Sequence, residues 1–459
     1  MSDMFNFKRD VQEFGGFLTK IHKKDFSGET GMALKNSSYQ LLISLFMKIG
    51  SLIFTVIMAR ILLPEKMGLY SLALSTIVFF SAFSDLGIGN ALLAYIPYHL
   101  SKKEESKAKG YFILLFKWKI LVLTLISVLL FVLSKYISNN YYNKPILFAL
   151  FAGSIYLFLS GIVGFYEQAF RALNNFKPAL IKEIIFQFLR IFLVPIMTLF
   201  LLYKNLNSQI LIFFIFLFLS FCYLIGFIYL LFISKKSSFF SKKNISFLTK
   251  EEIKELKNFL SPLILTSLSG VFFGYIDIIM LGHYVTSEFI SYYTSAFSLI
   301  TSLGVIISFI SSGIFPLLSS TSGKKLEDLF KKAIKYSLII AIFSFIFILI
   351  FASPIIKLIY GEEYIQSIPI LRYYSIIILI FPLTSLYENF FISQKKTRFF
   401  SKVLIVSTII NVILNFLFIK YGVSHFGYFE GVLGACFATV ISKVVYFISL
   451  VLKKKISNH

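Results

Sequence analysis

Apolar runs of helical length recur from residue 38 to residue 452, and nothing else in this chain limits its fold so strictly. A helix needs about 20 such residues to cross the roughly 30 Å hydrocarbon core of a bilayer. Twelve runs qualify, at 38–63, 70–97, 111–137, 145–170, 182–203, 209–233, 259–283, 290–318, 334–356, 368–392, 401–420 and 428–452. Over 459 residues, a composition of 57% hydrophobic and 15% charged leaves too much apolar surface for a soluble fold of this size. The expected class is an all-α membrane protein of about twelve transmembrane helices.

Internal duplication sets the next constraint. Ala59 to Pro97 holds the end of one span, a P-E-K-M-G-L hinge from Pro64 to Leu69, and a second span interrupted by the D-L-G-I-G-N stretch from Asp85 to Asn90. Met58 to Ser75 aligns with Leu281 to Ser298, pairing Glu65 with Glu288, and Tyr166 to Phe170 aligns with Tyr387 to Phe391 at nearly the same spacing. With six spans in each half, both halves start on the same side. Two six-helix lobes then follow, as a parallel repeat about a pseudo-two-fold axis along the membrane normal, an arrangement used by transporters with a cavity between lobes. The expected organisation is an interfacial segment at 1–37, an N-lobe at 38–233, a linker at 234–258 and a C-lobe at 259–459.

The net charge of +23 does not signal nucleic acid, because the basic residues alternate from loop to loop. Lysines and arginines crowd the first 37 residues and the connections after every even-numbered span, whereas the opposite connections hold only Lys66, Lys135, Lys144, Lys204, Lys357 and Lys420. By the positive-inside rule, both termini are expected in the cytoplasm of a cell whose plasma membrane this chain crosses repeatedly. Phe7, Val11, Phe14, Leu18 and Ile21 fall on one helical face, as in an amphipathic helix lying at the interface. The Lys/Glu mixture of the linker suggests a second surface helix. No signal peptide is expected, because the first apolar run follows a polar stretch. Cys222 and Cys436 both fall inside spans, so neither a disulfide framework nor a metal site is expected.

Charge inside a span costs about 2.5–3.5 kcal/mol at its centre on insertion scales, so intramembrane charges call for a partner or a polar cavity. The basic ones are Lys48, Arg60, Lys117, Lys119, Arg190, Arg372 and Lys443. Lys117 and Lys119 flank Trp118 near a span end and read as snorkelling interface residues. Lys48 and Arg190 lie deeper and suit a polar cavity. Arg60, near the far end of span 1, suits snorkelling or substrate contact equally. Asp85 would pair with Lys48 or Arg60, or else carry a proton or sodium ion. Glu167 stands four residues before Arg171 and should pair with it. Asp277 reads as a lone polar contact of span 7. Asn411 and Asn415 share a face of span 11, where amides bond either a neighbouring helix or a hydroxyl-rich ligand.

Six stretches resemble the polysaccharide flippases of the multidrug, oligosaccharidyl-lipid and polysaccharide exporter superfamily. They are Arg60 to Tyr70, Asp85 to Leu92, Asp277 to Tyr284, Phe315 to Ser319, Ile359 to Tyr364 and Asn411 to Gly422. The resemblance covers about residues 35 to 450. It implies two lobes around a cationic cavity, through which a polyprenyl-phosphate- or pyrophosphate-linked oligosaccharide passes from the cytoplasmic to the outer leaflet. One departure stands out: the turn after the Asn-bearing span is lengthened to VSHFGYFEGVLGACFAT.

Residues and resemblance agree that an anionic head group needs positive charge in a low-dielectric cavity. Lys48, Arg60 and Arg190 are the candidates for phosphate, with Asp277, Asn411 and Asn415 contacting sugar or lining the path. Two negative charges moving outward across the full field gain about 4–5 kcal/mol per 100 mV. ATP is then not required, and no P-loop is present. No catalytic set and no cofactor are expected. Expected partners are the lipid-linked oligosaccharide, the bilayer and glycan-assembly enzymes. A cation-coupled drug exporter of the same superfamily is disfavoured because the deep charges are mostly basic. A membrane-embedded glycosyl- or acyltransferase is disfavoured because the five histidines are scattered and the outer loops are short.

Overall fold

The computed structural model describes residues 28–241, 244–320, 323–393 and 397–456, so the face marked by Phe7, Val11, Phe14, Leu18 and Ile21 lies outside the described residues. Helices make up the fold, and no strand occurs among those residues. In order they are α1 (Gly28–Asp85), α2 (Ile88–Ser101), α3 (Glu105–Tyr136), α4 (Leu147–Ala172), α5 (Lys177–Tyr203) and α6 (Ser208–Lys236) in one half. The other half holds α7 (Lys250–Tyr284), α8 (Ser287–Ser320), α9 (Gly323–Ile359), α10 (Ser367–Tyr374), α11 (Ile376–Ser393), α12 (Thr397–His425) and α13 (Tyr428–Ile456).

Local chemistry explains where helices and spans do not coincide. Within α1, Leu63 leaves the helical region (φ 60°, ψ 171°) immediately before Pro64, which lacks an N–H and disfavours helical geometry in the residue before it. The chain doubles back there. The rings of Phe54 and Tyr70 come within 6.4 Å, whereas a straight helix would hold them about 24 Å apart. Two spans therefore share α1. At the other end of α1, Leu86 and Gly87 take left-handed angles (φ 47° and 74°) and split the second span into α1 and α2. Span 10 is likewise divided, into α10 and α11, which brings the span total to twelve.

Two sequence expectations need correction. The Lys/Glu-rich linker does not form a separate surface helix. Its KEEIKELKN stretch is the first part of α7, started by a capping box in which Thr249 and Glu252 bond each other's backbone N–H, and the helix runs on as span 7. The lengthened turn after span 11 is not a loop either. Its residues are absorbed into α12 and α13, leaving only Phe426 and Gly427 (φ 119°) between them. Close backbone contact allows this, since a Cβ on Gly422 would stand 2.7 Å from the Glu430 carbonyl oxygen.

Packing is asymmetric across the membrane. On the side opposite the basic loops, buried residues of both lobes, such as Met58, Leu72, Leu281, Tyr293 and Ile356, belong to one continuous core. On the basic side, Leu326, Phe330, Leu386, Phe390, Tyr446 and Leu450 form a separate C-lobe cluster, and Ile43, Ala179 and Leu180 a separate N-lobe one. Contact between lobes on that side runs along α7, through Tyr95 and Phe259 (5.4 Å) and through Lys107 and Glu252 (3.2 Å).

The sealed side is tight enough to be tested. A Cβ on Gly68 of α1 would lie 1.7 Å from the Ser287 carbonyl oxygen of α8, and nearby Thr294 donates to Ser71 across the same seam at 3.3 Å. Overpacking such a contact costs about 1–3 kcal/mol. Gly68→Ala should therefore lower the rate of disulfide formation between Ser71→Cys and Thr294→Cys by about tenfold or more. Unchanged crosslinking would show that the seam yields without opening.

Candidate functional site

Arg190 on α5 lies inside the N-lobe, where rings from several helices surround it. Its guanidinium carbon is 4.1 Å from the Phe54 ring centroid and 5.9 Å from that of Phe186, one turn back on the same helix. The Tyr70 hydroxyl hydrogen-bonds to it, and Tyr156 and Tyr223, packed edge to face at 5.3 Å, stand within range of its charge. Such a setting suits a cation, since a desolvated contact with an aromatic face is worth about 2 kcal/mol. It supplies no counter-charge: Nε is buried without an acceptor.

The neighbouring carboxylates are already engaged. Lys182 makes a close ion pair with Glu167 and a second with Glu183 at 2.9 Å, and Gln187 donates to Glu183 at 2.7 Å. Arg171 reaches Glu167 only at 4.0 Å, so the expected i,i+4 pair is the weaker of that acid's contacts. Asp85 pairs with neither Lys48 nor Arg60. Lys119 takes it, at 3.5 Å, while also donating to the Ser84 carbonyl at 2.9 Å. Lys119 is thus a buried structural cation rather than a snorkelling one. It closes the gap that the helix break at Leu86 and Gly87 leaves. Lys48 remains half-buried on α1, with no hydrogen bond or ion pair among the described residues.

Arg60 is held elsewhere. It lies three turns beyond Lys48, about 18 Å along the helix, on the sealed side. There its Nε donates to the Ile359 carbonyl at 2.8 Å and its Nη2 to that of Leu358. The three basic candidates are therefore not one cluster in this conformation.

The C-lobe candidates do converge. Asp277 of α7 accepts from Asn415 Nδ2 at 2.7 Å, from Tyr293 Oη at 2.5 Å, and from Thr439 Oγ1. Tyr374 Oη stands 3.4 Å away and also contacts Tyr293. Asn411 donates to Thr439 at 3.3 Å and accepts through its carbonyl from Asn415 at 3.0 Å. Helices α7, α8, α10, α12 and α13 all meet here, and every member is buried. Asp277 is not the lone contact expected of its span. The side-chain oxygens of Asn411 and Asn415 are buried without donors, and together with Asp277 and Thr439 they make an oxygen set suited to a proton or a small hard cation. Among the described residues no group of three or more His, Cys, Asp or Glu side chains forms a metal site.

Similarity to known proteins is consistent with this geometry. A family model described as "Polysaccharide biosynthesis protein" matches residues 33–322, and one described as "MatE" matches residues 262–417. A probable low-salt glycan biosynthesis flippase, Agl15, of Haloferax volcanii is 22% identical over 204 residues, covering 42% of this chain and 40% of that protein. An inward-facing MATE family transporter of the MOP superfamily shares the fold at 14% identity, with a TM-score of 0.70 over 90% of this chain and 98% of that one. The lipid II flippase MurJ in an inward closed conformation gives 0.69 at 16% identity, over 90% and 87%. An outward-facing MATE transporter gives a lower score, 0.59, at 14% identity over 92% and 95%.

Proposed function

As the chain belongs to the polysaccharide biosynthesis protein family, we propose that it is a flippase that turns a polyprenyl-(pyro)phosphate-linked oligosaccharide from the cytoplasmic to the outer leaflet by alternating access. The observation that carries this reading is the surplus of positive charge inside the N-lobe. Asp85, Glu167 and Glu183 each have a basic partner, while Arg190 and Lys48 have no carboxylate. Buried charge persists in a bilayer when something of opposite sign uses it. A phosphate or pyrophosphate supplies that sign, and a guanidinium binds it through two parallel hydrogen bonds.

With the basic loops facing the cytoplasm, the separate clusters on that side correspond to an entry between the lobes, and the shared core to a closed outer side. The prenyl tail stays in lipid while the head group enters. The Asp277 cluster, closed to a sugar in this conformation, serves as the place where a proton or small cation couples to rearrangement of the C-lobe. A buried acid of that kind is also what a cation-coupled exporter would use, but its lone occurrence in the C-lobe leaves the positive N-lobe unexplained.

The test is a leaflet-exposure assay in proteoliposomes, using a fluorescent prenyl-pyrophosphate oligosaccharide and the matched glycolipid lacking phosphate. Protein-dependent flipping of the anionic lipid alone is expected. Equal rates for both lipids would overturn the anion reading.

A further inference from the structure

On the outer side, two basic side chains of the N-lobe cap two helix ends of the C-lobe. Arg60 of α1 donates to the carbonyls of Leu358 and Ile359, the last two residues of α9. Lys144, between α3 and α4, donates to the Gly282 carbonyl in the last turn of α7 at 2.6 Å. The final carbonyls of a helix have no partner within it and carry the negative end of its dipole, so a cation there satisfies both. Burial brings the Lys144 ammonium down to about 8, which leaves it mostly charged at neutral pH. Tyr364 adds a third contact across the seam, donating to the Ala59 carbonyl at 3.1 Å.

We propose that Arg60 is the releasable latch of the outer gate: it holds α9 while the gate is shut and passes to the anionic head group as the gate opens. This rests on the flippase reading above. The chemistry of the contact favours such an exchange. Neutral carbonyls hold the guanidinium with ordinary hydrogen bonds, and a phosphate oxygen bearing formal charge forms bonds roughly twice as strong. An arriving anion therefore outcompetes the helix end, whereas a carboxylate in its place would resist displacement. Lys144 has no comparable freedom, being buried beside its carbonyl, and makes the fixed half of the seam.

Distances between spin labels at Tyr203→Cys and Phe426→Cys test this, both sites being exposed on the outer ends of their lobes (84% and 67%), with the buried Cys222 and Cys436 replaced by alanine. In otherwise unaltered protein one short distance is expected. Farnesyl pyrophosphate should add a population several ångströms longer, and farnesol should not. Arg60→Ala should show the long population without ligand and ignore farnesyl pyrophosphate, while Arg60→Lys restores the short one. A closed gate in Arg60→Ala, or an unaltered response of that variant to farnesyl pyrophosphate, would overturn the proposal. So would a protein with Arg60 intact that stays closed with the anion yet flips the labelled lipid in the leaflet assay. Failure of flipping itself, with Arg60→Ala still opening the gate, would instead remove the substrate reading and with it the exchange.

Discussion

Arg190→Ala should abolish flipping of the lipid-linked oligosaccharide, by about a hundredfold or more, while leaving the protein folded and as stable as before. The size follows from the loss of a desolvated, charge-assisted pair with the head group, of the order of 2–5 kcal/mol. The unchanged stability follows from the site. Arg190 has no carboxylate to orphan and one nitrogen already unbonded, so its removal takes away a buried cation whose desolvation was uncompensated. Lys182→Ala should do the reverse. It would strand Glu167 and Glu183 in the lobe interior, and breaking a buried pair costs about 3–5 kcal/mol. Thermal unfolding in detergent, measured beside the leaflet assay, separates the two. If Arg190→Ala flips within twofold of the unaltered protein, or unfolds as early as Lys182→Ala, the guanidinium is structural and the cavity assignment falls. Arg190→Lys should recover only part of the rate, because an ammonium keeps the charge but not the paired hydrogen bonds.

The difference between these two residues marks where sequence reasoning stopped. Apolar run length gave the spans, because membrane thickness leaves little freedom there, and the reversal at Leu63 was written in the hinge that begins at Pro64. Arg190 was legible as a deep charge. Lys182 was not, since it stands at the edge of a run and was counted with the loop, although it is 3% exposed. Partners were harder than positions. Lys119 looked like an interface residue beside Trp118 until the break at Gly87 brought the Ser84 carbonyl within its reach. Arg60 found backbone carbonyls some three hundred residues away in the chain, and a carbonyl is carried by every residue, so no side-chain pattern announces it. Tyr293, Tyr374 and Thr439 gave no signal either: each reads as an ordinary member of an apolar helix, and only the crossing of five helices points their hydroxyls at Asp277.

That crossing sets the second large expectation: Asp277→Asn should lose flipping more than tenfold and also unfold earlier. An amide keeps the shape but turns two acceptor oxygens into one acceptor and one donor. Three donors converge on the carboxylate, from Asn415, Tyr293 and Thr439. At least one is left facing an N–H, at a cost of about 1–3 kcal/mol for an unsatisfied buried group. Helix-to-helix hydrogen bonds in membranes are otherwise modest, averaging about 0.6 kcal/mol, so a loss confined to one bond would barely move the unfolding temperature. A large shift would therefore report that the cluster acts as a unit. Asn415→Asp supplies the complementary test. It adds a second carboxylate beside Asp277, and two acids that close cannot both ionise without a cation between them. Sodium should then raise the unfolding temperature of Asn415→Asp more than that of the unaltered protein, with choline as the control. An Asp277→Asn protein with full transport and unaltered unfolding would show that the junction neither couples an ion nor holds the C-lobe together.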